Sequence, residues 1–322
     1  MRVAVLVGGN SPERNVSLDS GKNIAEALRK NGHEVLKFDP GLPTKKLISE
    51  FNIEFDEPFE EERSLYINLM LLKLMNIDVV FNGLHGGEGE NGVVQVLLET
   101  LDLKFTGPGS TACVLAMDKE ISKMLMLQNG LPTANYLAVR HKEDKPGQLN
   151  HLKFPVIVKP ADGGSSLGQT VLKDDNGLQQ AVDVAFQYGR KVLIEEFITG
   201  KEIAAGVLDG KPLPLVHIQP KHDLYDYECK YTPGMSSYVC PADLDEETTE
   251  IIQDHALRTY RILGCTSYSR IDFLVRENND MYILEANTLP GMTSTSLIPK
   301  AAKAIGYSFE ELIEKIVQDA AK

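Results

Sequence analysis

Basic residues are in short supply. The 322-residue chain carries 33 Lys and Arg against 46 Asp and Glu, a formal charge of −13. No basic stripe is available to a polyanion, so nucleic acid and anionic membrane surfaces are excluded as partners. Cysteine is scarce as well. The four present, Cys113, Cys229, Cys240 and Cys265, show no CxxC spacing and no paired histidines nearby. That argues against a thiolate metal site or a disulfide framework and favours buried, reduced thiols. No apolar run approaches the roughly 20 residues that cross a bilayer. Met1-Arg-Val-Ala-Val-Leu-Val-Gly-Gly9 reads as a short strand entering glycines, not as a signal peptide. Repeats and low-complexity tracts are missing too. The expectation is a soluble, cytoplasmic globular protein with no nucleic-acid or membrane partner.

What is present begins with β/α units. Val3 to Val7 reads as a strand and Gly8 to Pro12 as a loop. Ser17 can cap a helix to about Lys30, closed by Asn31-Gly32. His33 to Phe38 and Asp78 to Asn82 read as further strands, and Gly92 to Leu101 as a helix. Residues 50 to 77, acidic and then leucine-rich, read as an insert forming a partly exposed helix. Residues 1–107 are therefore expected to be an α/β domain with a parallel sheet and ligand loops at the carboxyl ends of its strands. Gly107-Pro-Gly109 marks a boundary. A helix from Asp118-Lys119 to Asn129-Gly130, a strand over Phe154 to Pro160, a helix near Gly177 to Tyr188 and a strand over Lys191 to Glu195 make an α+β unit over 108–200. A second α+β unit occupies 201–322.

The densest chemistry lies in that last unit. Arg270-Ile-Asp272 and Glu285-Ala-Asn287 sit in two alternating segments joined by an Asn278-Asn-Asp280 turn. Alternation puts Arg270 and Asp272 on one face, and Glu285 and Asn287 on one face of the partner strand. Two carboxylates and an amide beside one guanidinium suit Mg²⁺ held together with substrate phosphates. This points to ATP chemistry.

Other segments are weaker alone. Gly163-Gly-Ser-Ser-Leu-Gly168 lacks the GxxxxGK(S/T) pattern, yet it follows Lys159 at the exit of an apolar strand. Its small residues can present N–H groups to a phosphate, although an ordinary glycine-rich hairpin would look similar. His85-Gly-Gly-Glu-Gly-Glu-Asn-Gly92 follows a strand and reads as a substrate-facing loop. Glu13 lies in the analogous loop after the first strand, where a carboxylate can equally satisfy a helix dipole. Asp223-Leu-Tyr-Asp-Tyr-Glu-Cys-Lys230-Tyr231 is too polar for a core strand and reads as a lid that would exclude water from a reactive phosphate. Ser296 and Leu297 precede or open a helix whose amides could receive a carboxylate.

Taken in order, these segments resemble the D-alanine–D-alanine ligases of the ATP-grasp superfamily over essentially the whole chain. Gly8-Gly-Asn-Ser-Pro-Glu-Arg-Asn-Val-Ser-Leu18 resembles the family's N-terminal signature and His85 to Gly92 its second. Leu284-Glu-Ala-Asn-Thr-Leu-Pro-Gly-Met-Thr-Ser-Thr-Ser-Leu297 resembles its third. Met117-Asp-Lys119, Val158-Lys-Pro160, Gly164-Ser-Ser166 and Tyr225-Asp-Tyr-Glu228 fall between them in the expected order.

The resemblance implies an ATP-grasp fold: the α/β domain plus two α+β domains that clamp ATP. It assigns Lys119 and Lys159 to the phosphates and Lys230 to ATP binding, with Ser165 and Ser166 in the loop closing over the phosphates. Glu202 goes to the ribose, and Glu195 with the backbone of Glu196 and Ile198 goes to adenine. Asp272, Glu285 and Asn287 would hold two Mg²⁺, for which Mn²⁺ can substitute. Glu13 would bind the first D-alanine's ammonium in a set with Ser165 and Tyr231, near His85. Ser296 and Leu297 would receive the second D-alanine's carboxylate, and Arg270 with the Gly291 amide the developing oxyanion. A homodimer is implied, as is a dipeptide product, since Tyr231 and Leu297 fit D-alanine better than D-lactate or D-serine. A catalytically silent nucleotide-binding protein of the same fold is the reading from a different class. Asn15 and Glu196 depart from the acid and the lysine common in the family.

Overall fold

Among the described residues three sheets form, each where alternation or apolar runs appear in the sequence. In this computed structural model the described residues are 1–53, 63–144, 152–164, 167–221, 232 and 234–322. The first sheet holds β1 (Arg2–Leu6), β2 (Glu34–Phe38) and β3 (Val79–Asn82), all parallel in the order β2-β1-β3. Crossovers are made by α1 (Arg14–Lys30), then by α2 (Thr44–Glu50) and α3 (Leu65–Leu74), and α4 (Val93–Thr100) follows β3. Parallel strands need such crossovers, which cover both faces of the sheet.

One sequence expectation changes here and another holds. Ser17 does not cap α1. The helix starts at Arg14, with Glu13 as the flanking residue, and the buried Ser17 hydroxyl donates to the Gly83 carbonyl instead. A Ser can thus be a helix start signal by composition while serving to tie two loops. The leucine-rich half of the 50–77 insert is α3, whose Leu69, Leu71 and Leu72 are fully buried against β1 and α4. Tyr66, Lys73 and Leu74 are exposed on its outer side, so the helix is partly exposed as expected. Residues 54–62 lie outside the described residues.

The opposite face of this sheet carries Val3, Val5 and Val7, which join α1 in a core that continues into the chain's final element. After α5 (Ser110–Met117) and α6 (Lys119–Gln128), a small antiparallel sheet forms from β4 (Tyr136–Val139), β5 (Val156–Pro160), β6 (Thr170–Leu172) and, after α7 (Leu178–Ala185), β7 (Val192–Glu196), in the order β4-β7-β5-β6. The third sheet comprises β8 (Lys201–Leu208), β9 (Lys211–Pro212), β10 (Val216–Pro220), β11 (Ser236–Val239) and, after α8 (Glu246–Ile262), β12 (Tyr268–Val275) and β13 (Met281–Asn287). Its order is β11-β10-β8-β12-β13, with β9 beside β8.

The chain closes with α9 (Leu297–Ala304) and α10 (Phe309–Ala321). Leu312, Ile313, Ile316 and Val317 of α10 enter the core beneath β1 and α1. Lys30 pairs with Glu310 at 2.7 Å and His33 with Glu314 at 2.8 Å along the same seam. The last helix of the chain therefore completes the core of the first sheet.

Candidate active site

The carboxylate pair is set by strand register. Arg270 faces Asn287 and Asp272 faces Glu285 across β12 and β13, so all four side chains share one sheet face. A bulge follows at Phe273 and Ile283, beyond the functional pairs. On the opposite face Ile271 and Phe273 enter the core under α8. Facing carboxylates repel, and here each has a cation. Arg270 grips Asp272 with two bonds, Nε to Oδ1 at 2.7 Å and Nη2 to Oδ2 at 2.8 Å, while Lys119 Nζ lies 3.1 Å from Glu285 Oε2. The Asn287 side-chain oxygen accepts from the Leu289 amide at 3.1 Å.

Lys119 sits at the start of α6 because Asp118 caps that helix, accepting from the amides of Glu120 and Ile121. Its ammonium also donates to the Gly163 carbonyl at 2.8 Å, which fastens the glycine loop to the carboxylate pair. The next loop glycine approaches Glu13: a Cβ built on Gly164 would lie 3.8 Å from Glu13 Oε2. Glu13 is the flanking residue of α1, where its charge lies at the positive end of the helix dipole, although its side chain makes no cap hydrogen bond. Its carboxylate abuts Gly86, whose φ of +65° suits glycine. A Cβ there would fall 2.2 Å from Glu13 Oε2. Gly86→Ala is accordingly expected to displace the carboxylate and lower kcat/KM for the amino acid by on the order of 10²-fold. Steady-state kinetics checks this, and an unchanged value removes Glu13 from the site.

His85 is buried nearby, with Nε2 3.0 Å from Ser20 Oγ and Nδ1 3.6 Å from Glu90 Oε1. Gly87, Gly89 and Gly92 happen to have GxGxxG spacing after a strand. The intervening acids, Glu88 paired with Arg63 and Glu90 beside His85, make that loop unsuited to a pyrophosphate. At the other end, Gly291 and Ser296 are neighbours: a Cβ on Gly291 would lie 3.1 Å from Ser296 Oγ. That hydroxyl accepts from the Thr293 amide at 3.0 Å and does not cap α9, which begins at Leu297.

A cleft of about 780 Å³ lies between the second and third sheets. Ile157, Ile198, Leu274 and Leu284 give it apolar walls; Lys119, Lys159, Asp272 and Glu285 lie along it, and Glu202 is at its edge. Apolar walls with a few converging charges are the usual form of a nucleotide-sized site. Glu195, 2% exposed, is not in a surface turn. It is the penultimate residue of β7, with Oε2 2.8 Å from Lys159 Nζ and Oε1 3.4 Å from Lys123 Nζ. Burial pushes its carboxyl up, but the two lysines outweigh that and hold it below the usual range. The Glu196 carboxylate points elsewhere, accepting from the Lys153 amide at 2.9 Å and Asn135 Nδ2 at 3.1 Å. The site thus brings Glu13, Lys119, Lys159, Glu195, Arg270, Asp272 and Glu285 to one continuous region. Ser165, Ser166, Lys230 and Tyr231 lie outside the described residues.

Comparison with known proteins identifies the family. Family models described as D-ala D-ala ligase N-terminus and D-ala D-ala ligase C-terminus match residues 2–108 and 125–318. The chain belongs to the D-alanine–D-alanine ligase family. A D-alanine–D-alanine ligase of Halalkalibacterium halodurans is 42% identical over 323 residues, covering 98% of each chain. One from Syntrophotalea carbinolica is 40% identical over 319 residues, covering 99% of this chain and 96% of that one. The crystal structure of the Bacillus anthracis ligase complexed with ATP superposes with a TM-score of 0.81 at 30% identity, covering 99% and 97%. The fold is accordingly ATP-grasp, and the chain is an ATP-dependent ligase.

Family likeness did not reveal Lys123. Its only sequence signal is its position one helical turn after Lys119, which places both on one face of α6.

Among the described residues no three His, Cys, Asp or Glu side chains are close enough to cage a metal. Asp272 and Glu285, opposed on one face with Asn287 one pair further, nonetheless fit Mg²⁺, which takes one or two carboxylates and completes its shell from phosphate and water. No helix among those residues is long and apolar enough to cross a membrane.

Proposed function

We infer that this ligase joins two D-alanines with ATP, forming D-alanyl-D-alanine, ADP and phosphate for peptidoglycan precursor synthesis in the cytoplasm. The observation that carries the assignment of residues is the cross-strand set Arg270–Asn287 and Asp272–Glu285, tied by Lys119 to the loop that reaches Glu13.

A carboxylate is a poor acyl donor, so the first D-alanine accepts the γ-phosphoryl group of ATP, giving an acyl phosphate. Mg²⁺ held by Asp272, Glu285 and Asn287, with Mn²⁺ as a substitute, would neutralise charge on the transferring phosphates. Lys119, Lys159 and, in the lid, Lys230 bind the phosphates, and Ser165 and Ser166 close over them. Glu195 and the Glu196–Ile198 backbone receive adenine, and Glu202 the ribose. Glu13, with Ser165 and Tyr231 and beside His85, holds the first ammonium. Ser296 and Leu297 hold the second carboxylate, presenting the second amine to the acyl carbon. Arg270 and the Gly291 amide stabilise the oxyanion of the tetrahedral intermediate, and phosphate then leaves. The domains run 1–107, 108–200 and 201–322, a division supported by the sheets falling within those limits. Family membership and the exposed Val93, Val96 and Val114 on α4 and α5 support a homodimer.

Phosphate release from MgATP is the test, with D-alanine offered alone and paired with D-serine or D-lactate, and products identified by mass. Dipeptide from D-alanine alone is expected. Turnover only in a mixed pair moves the acceptor, and silence throughout with ATP still bound favours a regulatory protein.

A further inference from the structure

Lys123 has no role in the reaction just described, yet at 1% side-chain exposure it is more deeply buried than Lys119 or Lys159. Burying a second ammonium is costly unless its contacts serve a purpose. Those contacts span four elements. Lys123 Nζ donates to Thr133 Oγ1 at 2.5 Å and to the Ala134 carbonyl at 3.4 Å, and it lies 3.4 Å from Glu195 Oε1 and 5.5 Å from the centre of the Tyr136 ring. The Thr133 hydroxyl donates in turn to the Ile283 carbonyl on β13 at 2.9 Å, and the Ile283 amide donates to Pro132 at 2.9 Å. Glu285 follows two residues along that strand. A buried polar chain therefore runs from the carboxylate strand, through Thr133 and Lys123, to Glu195 and Lys159.

One carboxylate here serves two ammonium groups, and each takes a different oxygen. Were Lys123 absent, Lys159 would face the whole charge of Glu195 in a dry site, where a one-to-one pair is tight. Its ammonium would then be less able to serve a nucleotide phosphate. We propose that Lys123 is a positioning residue: by sharing Glu195 and anchoring it through Thr133 to β13, it keeps the Lys159 ammonium available to the phosphates of ATP. The inference rests on the ATP-site reading above.

Its test compares binding of MgATP and of adenosine, measured by calorimetry on the full chain without amino acid. At about pH 7, K123Q is expected to weaken MgATP roughly tenfold, as for loss of one charge-assisted contact, and adenosine by no more than about twofold. Equal weakening of both ligands, or none, overturns the proposal. T133V keeps the charge and removes the hydroxyl, breaking both the bond it accepts from Lys123 and the bond it donates to Ile283. It is expected to weaken MgATP about threefold, with adenosine again spared, and it stands in should K123Q fail to fold. Failure of wild-type protein to bind MgATP at all would instead refute the underlying site.

A pH titration of the wild type supplies a readout that a merely structural lysine would not move. Burial lowers Lys123 to about 8, with Lys159 and Lys119 adding to the shift and Glu195 opposing it. Above about that pH the ammonium loses its proton, so MgATP affinity is expected to fall and the gap between wild type and K123Q to close. The effect on folding has the opposite sign. The unfolded chain keeps this proton up to the ordinary 10.5, so rising pH between those values favours the folded state as far as Lys123 is concerned. A gap that stays constant across this range counts against the proposal.

Discussion

Arg270→Ala is expected to reduce turnover by roughly 10²–10³ while MgATP binding changes by no more than a few-fold, the signature of a donor that acts chiefly in the transition state. The reasoning starts from rigidity. A guanidinium carries five donors in a fixed plane, and two of them are locked on Asp272 by bonds of 2.7 and 2.8 Å. The side chain is thereby oriented before substrate arrives, so no reorganisation is needed when charge develops on the carbonyl oxygen. Arg270→Lys should recover little, because an ammonium cannot hold Asp272 in two-point geometry and keep the same direction. Single-turnover ADP formation followed beside dipeptide formation separates the steps: ADP, the leaving group of acyl phosphate formation, should still appear in Arg270→Ala when the dipeptide does not. Near-normal turnover in that variant removes Arg270 from the oxyanion role.

Glu195→Gln is expected to destabilise the fold by roughly 3–5 kcal/mol, the cost of breaking a buried ion pair from one side. Few side chains here are as thoroughly enclosed, and two ammonium groups depend on this one carboxylate. The amide has the same shape, so packing loss contributes little. The loss should shrink as pH rises. With Glu195 neutralised, Lys123 falls further below its already lowered value of about 8. Between that lower value and about 8 the folded variant has released a proton that folded wild type keeps, so the variant gains stability with pH and the loss narrows; above about 8 the two rise in parallel. Chemical denaturation at neutral and alkaline pH measures both effects. A variant as stable as wild type at neutral pH would mean that the lysines find other partners.

The strand pairing at the active site was readable because two-residue alternation fixes which side chains share a face, and Arg270, Asp272, Glu285 and Asn287 obey it without interruption. The parallel first sheet was readable from its glycine loops and apolar strands. Three features were not. Ser17 looks like a cap because hydroxyl residues favour helix starts, and only the fold reveals that its bond goes to Gly83. The burial of α3 depends on α4 and β1 lying against it, contacts that local pattern cannot supply. Lys123 reads as an ordinary surface lysine in a helix, and it becomes a buried charge only when β7, β4 and the 131–134 segment converge on it. Long-range enclosure of a polar side chain leaves no periodic trace.

The seam between α10 and the first sheet bears on biogenesis. While the chain emerges from the ribosome, β1, β2, β3 and α1 are complete long before residues 309–321 exist to cover Val3, Val5 and Val7. At about 5–20 residues per second the delay is on the order of ten to forty seconds. Throughout it the nascent amino-terminal unit presents an uncovered apolar face, a natural client surface for chaperones. Truncation that removes only α10 would then cripple a sheet translated long before it, and a change to the helix would be felt in β1 and α1 rather than in its sequence neighbours.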